Sequence, residues 1–220
     1  EWKDIPTVIC YSRDSMPGNL ENFVNKDFLG EGKFVLTEVA TAGYNLTVIK
    51  QPFYVKNTID LIRRLQPEVK KIALISDDRY ISAMVREEVC GVLEKDFPEL
   101  KSDLLTSIDI STEKLLDTLM GYSREVGIIY NSWFVGKKQS ESHYLSDNLQ
   151  KIIYGFVDAP VFTLTEMDME TGAFAGGYFI SASTFGKVAV QTIRQILDGV
   201  PARNVEGRIG GEPKVYLDYH

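Results

Sequence analysis

Three short segments hold the residue types from which a recognition site could be built: Asp77-Asp78-Arg79-Tyr80, Asn131-Ser132-Trp133-Phe134 and Thr165-Glu166-Met167-Asp168. Carboxylates, hydroxyls and an amide orient a small polar molecule, and flat aromatic rings give it contact area. Candidate ligand contacts are therefore Asp77, Asp78 and Tyr80 in the first segment, Asn131, Ser132 and Trp133 in the second, and Thr165 and Glu166 in the third. Ser12 and Arg13 join them, where an early apolar run gives way to a polar stretch. The competing expectation is that Trp133 and Phe134 plug a core while the acids face water.

Groups for catalysis are scarce. His143 and His220 are the only histidines, which nearly excludes histidine triads and HExxH zinc sites. Gly207-Arg208-Ile209-Gly210-Gly211 lacks the following helix of a phosphate cradle. Gly121-Tyr122-Ser123-Arg124-Glu125 imitates a nucleophile elbow but follows a helical pattern and has no closing glycine. The pair Asp77-Asp78 could hold magnesium as in receiver domains, yet Asn131 stands where the phosphorylated aspartate would be needed, and Thr165-Glu166 where a lysine would. No cofactor, metal ligand or catalytic residue is expected. A small hydrolase using Asp77 or Glu166 as base is the enzymatic alternative.

The elements that must position these segments follow from periodicity. Ile72-Ala73-Leu74-Ile75 is a continuous apolar run, as in a parallel strand covered on both faces, and polar residues begin abruptly at Ser76. Ile81, Met84, Val85, Val89, Val92 and Leu93 then fall at helical spacing. Ligands in open α/β sheets bind just beyond the carboxyl ends of strands, where Asp77 would stand. The same reading gives strands at Lys101–Ile110, Val126–Tyr130 and Pro160–Leu164. Helices are expected at Val55–Leu65, stopped by Pro67, after the Ser111 N-cap up to Gly121, and at His143–Tyr154. From Ile72 to Leu164 this is a complete parallel lobe. Outside it stand strands at Thr7–Tyr11, Phe34–Leu36, Gly43–Ile49, Gly172–Ser181 and Lys214–Asp218, a short helix near Leu20–Phe28, and a helix from Thr184 to Asp198 ended by Gly199 and Pro201. In the Gly172–Ser181 strand, Gly176-Gly177 marks close backbone approach or a bend. Asp4–Ile49 with Gly172–Gly199 would leave a sheet face uncovered, so either a partner covers it or sequence precedes Glu1.

The 220 residues allow one large domain or two lobes of about 100 residues. With 44% hydrophobic and 25% charged residues the composition is that of an ordered globular chain. A net charge of -7 with no basic stripe argues against nucleic acid and against adhesion to a membrane surface. Cys10 and Cys90 read as buried apolar thiols sooner than as a disulfide or reactive site, and leave the compartment open. No apolar run reaches the roughly 18 residues of a spanning helix, and the start at Glu1 suggests a piece of a longer protein.

Several motifs resemble the type I periplasmic binding protein superfamily, in particular its ABC-transporter substrate-binding-like family. Ile5-Pro6-Thr7-Val8 is similar to that family's IPVV strand, Tyr44-Asn45-Leu46-Thr47-Val48 to its GNVTGV segment, and Pro67-Glu68-Val69-Lys70-Lys71-Ile72-Ala73-Leu74 to its PNVKRIGVL. Pro160-Val161-Phe162, Gly172-Ala173-Phe174-Ala175 and the Phe185–Pro201 helix agree in order and spacing. The resemblance implies an α/β fold of two Rossmann-like lobes with parallel sheets flanked by helices, ligand held between them, the second lobe complete and the first truncated. It places residues 1–50 and 172–200 in the first lobe and 51–171 and 201–220 in the second, with crossings near Ile49–Gln51, Asp168–Gly172 and Gly199–Val205. Asp77-Asp78-Arg79 stands where the family has an Asn-Pro-Ser loop, and Asn131-Ser132-Trp133 where it has a Pro-Thr-Asp turn, so ligand identity does not carry over.

Pro213–His220 looks like the point where such modules continue into membrane-linked signalling proteins. The expectation is a non-enzymatic, extracytoplasmic sensor domain of a two-component histidine kinase, in which lobe closure on a small polar solute such as an amino acid or sugar is the signal. Its partners would be membrane and kinase regions of the same chain and a second copy through lobe surfaces. The alternative is the solute-binding subunit of an ABC importer.

Overall fold

A computed structural model describes residues 2–25, 32–134, 151–153, 155–166, 169 and 172–218. In chain order the elements are β1 (Thr7–Ser12), β2 (Ser15–Pro17), α1 (Leu20–Asn25), β3 (Phe34–Leu36), α2 (Thr37–Ala40) and β4 (Leu46–Lys50). They continue with α3 (Val55–Leu65), β5 (Lys71–Ser76), α4 (Tyr80–Asp96), β6 (Lys101–Thr106), α5 (Thr112–Met120), β7 (Val126–Tyr130), β8 (Val161–Thr163) and β9 (Gly176–Phe179). The chain ends with α6 (Ala182–Leu197), β10 (Arg208–Ile209) and β11 (Lys214–Leu217). Two compact units result: Glu1–Pro52 with Ile180–Lys214, and Phe53–Phe179 with Val215–His220.

The second unit is built on a six-stranded sheet in the order β11-β9-β8-β7-β5-β6, with parallel pairing from β9 through to β6. Its strands are apolar without alternation because both faces are covered. Ile72, Leu74, Ile129 and Phe162 pack on one side against Ile59 and Ile62 of α3 and Val85, Val89 and Leu93 of α4. Ala73, Ile75, Ile128 and Val161 pack on the other against Leu115 and Leu119 of α5 and Ile153. Each of the larger side chains contributes about 1.5–3 kcal/mol by leaving water. The Ser111 hydroxyl accepts from the Lys114 amide at 3.2 Å and starts α5, and Gly121 follows its last turn.

Gly176, at φ 149°, lies against the Tyr216 carbonyl of β11, so a side chain there would meet backbone. The expected glycine pair is thus a close approach of strands. Residues 172–179, expected in the first lobe, belong to this unit because β9 pairs with β8 (Phe162 with Gly176, Thr163 with Gly177).

The first unit holds a three-stranded parallel sheet, β1-β4-β10, and the antiparallel pair β2-β3. The Ser181 hydroxyl accepts from the Thr184 amide at 3.2 Å and caps α6. Residues 201–214, expected in the second lobe, lie here, since Arg208 and Ile209 pair with Ile49 and Lys50. The chain passes between units after Pro52, Phe179 and Lys214. Cys10 and Cys90 are both free; buried thiols were expected, but Cys90 is half-buried and Cys10 is exposed, on the stretch of β1 that leaves Cys10 and Tyr11 uncovered. Most of the expected His143–Tyr154 helix lies outside the described residues, of which 151–153 are helical. Met167 and Asp168 also lie outside them.

Candidate functional site

Register sets the site. Ser76 pairs with Thr106, Ile75 with Tyr130, and Tyr130 with Thr163, so Asp77, Ser107, Asn131 and Leu164, the first residues past their strands, leave the carboxyl edge of the sheet within one residue of the same level. Asp77 is 0% exposed. Its Oδ1 accepts from the Arg79 amide at 3.0 Å and the Ser82 hydroxyl at 2.7 Å, and its Oδ2 accepts from Arg79 Nε at 2.9 Å and Nη2 at 2.6 Å. Burial acts to raise the Asp77 pKa, but the hydrogen bonds from Arg79 and Ser82 and the Arg79 charge outweigh it and hold the carboxyl below its usual value. The hydrogen bond to Asp77 correspondingly raises the Arg79 guanidinium. Arg79 remains 56% exposed along its side chain.

The network extends across the strand ends. Asn131 Nδ2 donates to Ser82 Oγ at 3.0 Å and to Ser132 Oγ at 2.9 Å, and the two serine hydroxyls lie 2.9 Å apart. Beneath it, Arg86 Nη1 donates to the Asp77 carbonyl at 2.5 Å and to Ser76 Oγ at 3.2 Å. Desolvation lowers the Arg86 pKa, against the pull of Asp77, Asp109 and Asp78. Ser107 Oγ donates to the Phe134 carbonyl at 2.7 Å and ties down the loop after β7. Such a network of polar groups can orient a polar solute; its carboxylate, fully engaged by internal donors, is poorly placed as a general base.

The structure brings Asp77, Asn131 and Ser132 together. Asp78 and Tyr80 stand half-buried at the start of α4, and Thr165 and Glu166 half-buried at the end of β8. Thr165 is folded back on its own strand, its amide donating to Thr163 Oγ1 at 3.3 Å. Trp133 takes the other path: 4% exposed, it packs in the core with Leu115 and Leu119, and its Nε1 donates to Thr112 Oγ1 at 3.0 Å. It plugs the lobe. Ser12 and Arg13 lie in the first unit, at the carboxyl end of β1, with the Ser12 hydroxyl donating to the Arg13 carbonyl at 3.2 Å.

Sequence reasoning missed Ser82 and Arg86 as members of the network. A signal existed: Ser82 shares the inward stripe of α4 with Val85, Val89 and Leu93, and a polar residue there must find a partner.

Parallel sheets flanked by helices, with polar groups gathered at the carboxyl edge of one of them, define an α/β fold built as two units. No protein-family model and no curated protein matches the sequence. Solved structures match its fold. A conserved domain protein from Vibrio cholerae O1 biovar eltor superposes with a TM-score of 0.59 at 15% identity, over 80% of this chain and 56% of that one. An ABC domain in complex with L-Trp from Streptococcus pneumonia gives a TM-score of 0.56 at 16% identity, over 80% of this chain and 57% of that one. The likeness is one of fold, and the chain spans little more than half the length of either neighbour.

Proposed function

We propose that this chain is a non-enzymatic module that binds a small polar solute. The observation carrying that reading is the cluster of Asp77, Arg79, Ser82, Asn131 and Ser132 at the carboxyl edge of a parallel sheet, the place where α/β folds hold ligands. The L-Trp in the complex named for one neighbour supports an amino acid as the solute class to test first. In the finer form of the proposal the module is the extracytoplasmic sensor region of a two-component histidine kinase, and closure on solute is the signal. A solute drives that change only through its differential affinity for the two conformations.

A solute-binding subunit of an ABC importer is the second reading, favoured by the ABC domain among the neighbours. The parent sequence separates the two: a spanning helix after His220 goes with the sensor, a lipoprotein signal and a stop near His220 with the importer. The binding reading is tested by a thermal-shift screen with amino acids, sugars and nucleosides. A solute that binds the native state alone at about 100 times its Kd stabilises by about 2.7 kcal/mol. A purified, folded protein whose melting temperature moves with none of these classes would end it.

A further inference from the structure

Tyr11 has a φ of 57°, a left-handed conformation that is sterically unfavourable for an aromatic residue and is found at no other non-glycine position among the described residues. A bulge puts it there. Ile9 pairs with Val48 and Ser12 with Lys50, so β1 spends two residues, Cys10 and Tyr11, where β4 spends one, Ile49. The result is a ring turned flat onto Phe185, with centroids 4.1 Å apart and planes within 6°.

Phe185 is 2% exposed, and Gly210 lies so close to its ring that a Cβ would overlap it. Tyr11 itself is 54% exposed. Phe185 is thus packed against both Gly210 and Tyr11, and Tyr11 keeps more than half of its surface exposed at the carboxyl end of β1.

The backbone beyond the bulge is fixed from several directions. The Ser12 carbonyl accepts from the Gln51 amide at 3.0 Å, the Arg13 carbonyl from Thr37 Oγ1 at 2.6 Å, and the Asp14 carbonyl from the Thr37 amide at 2.8 Å. Thr37 is fully buried. Strain of this kind persists where the surroundings over-determine it, and it concentrates at functional sites. Covering Phe185 alone would need no left-handed residue, since an apolar side chain on a regular strand can do so.

We propose that the face of the Tyr11 ring turned away from Phe185 is a stacking platform for a planar or apolar-faced ring of a solute held at this end of the first unit. The proposal rests on the small-molecule reading and narrows it to ring-bearing solutes: aromatic amino acids, nucleosides or pyranose sugars. Aromatic stacking adds to what simple burial contributes.

The test is calorimetric titration of the full chain with L-tryptophan, adenosine and D-glucose as ring-bearing probes, and L-glutamine and glycerol as ringless ones. At least one ring-bearing probe should bind. Tyr11→Asn, whose side chain tolerates the left-handed backbone, should weaken that probe about fivefold or more, and Tyr11→Phe should restore it. In the unsubstituted protein the Tyr11 ring protons should show ring-current shifts with an aromatic probe, a readout that does not require the variant to fold. Binding of ringless probes alone, or of a ring-bearing probe indifferent to Tyr11→Asn and without effect on the Tyr11 resonances, overturns this inference and leaves the small-molecule reading standing. Binding of no probe of either kind overturns both.

Discussion

Replacing Asp77 by Asn tests whether the carboxyl-edge network is held by charge. Asn can keep the acceptor facing the Arg79 amide and Ser82, at 3.0 and 2.7 Å in the native protein. Its Nδ2 then stands where Oδ2 accepted from Arg79 Nε and Nη2 at 2.9 and 2.6 Å, donor against donor. Two charge-assisted hydrogen bonds are lost, each worth about 1.5–3 kcal/mol. Arg79 is more than half exposed and can turn to water, which recovers much of that. A net loss of about 2 kcal/mol is expected, a fall of about 4–8 °C in Tm for a chain of this size. The sign with pH follows from the depressed Asp77 pKa. The folded state binds this proton less readily than the unfolded chain, so the stabilisation is complete above the unfolded value of about 3.9 and is lost as pH falls through the lower folded value. Urea denaturation of the wild type, Asp77→Asn, Arg79→Gln and the double variant, at neutral pH and near pH 3, gives both the loss and the coupling. The charge reasoning is refuted by a loss below about 0.5 kcal/mol at neutral pH, or by a gap that widens on acidification.

Two further substitutions probe the frame around the site. Trp133→Phe removes the hydrogen bond to Thr112 and part of a core side chain; it should cost about 1–3 kcal/mol and leave solute affinity unchanged, and a large affinity loss without destabilisation in paired melts and titrations would return Trp133 to the site. Gly176→Ala would meet the Tyr216 carbonyl at a left-handed φ and should destabilise by more than about 2 kcal/mol, whereas an unchanged thermal midpoint would show that the β9–β11 approach can relax.

What could be read from the sequence was what lies close in the chain. Ile72–Ile75 announced a strand buried on both faces, and the structure divides that run between two cores, Ile72 and Leu74 to one and Ala73 and Ile75 to the other. That put Asp77 and Asn131 at strand ends, which is enough to suspect a shared edge. It was not enough for Ser82, whose partner Ser132 is 50 positions away, because register and helix rotation decide such a meeting. Trp133 could have faced the cleft or the core, a choice made by one turn of a loop. β10 has two residues, too few for any period to appear. Tyr11 was hidden for a different reason: an inserted residue shifts the alternation of β1, and the sequence carries no mark of the insertion.

The Asp77–Arg79 pair admits two roles in recognition, and affinity measurements separate them. In one, Asp77 receives the solute directly; it must then give up Arg79, and Arg79→Gln, by releasing the carboxylate, should leave affinity intact or improve it. In the other, Asp77 is a support that orients Arg79, whose Nε and Nη2 it engages while the guanidinium remains open to solvent beside Phe134, at 6.0 Å from that ring's centroid. Asp77→Asn and Arg79→Gln should then weaken binding to similar extents, and the double variant should be hardly worse than either, since both remove one positioned cation. The geometry favours the second: Asp77 has no exposed surface, and its accepted hydrogen bonds come from within its own loop and helix. Titration of the two single variants and the double with whichever solute raises the melting temperature decides it. Additive losses, or tighter binding by Arg79→Gln, would give the direct role to Asp77.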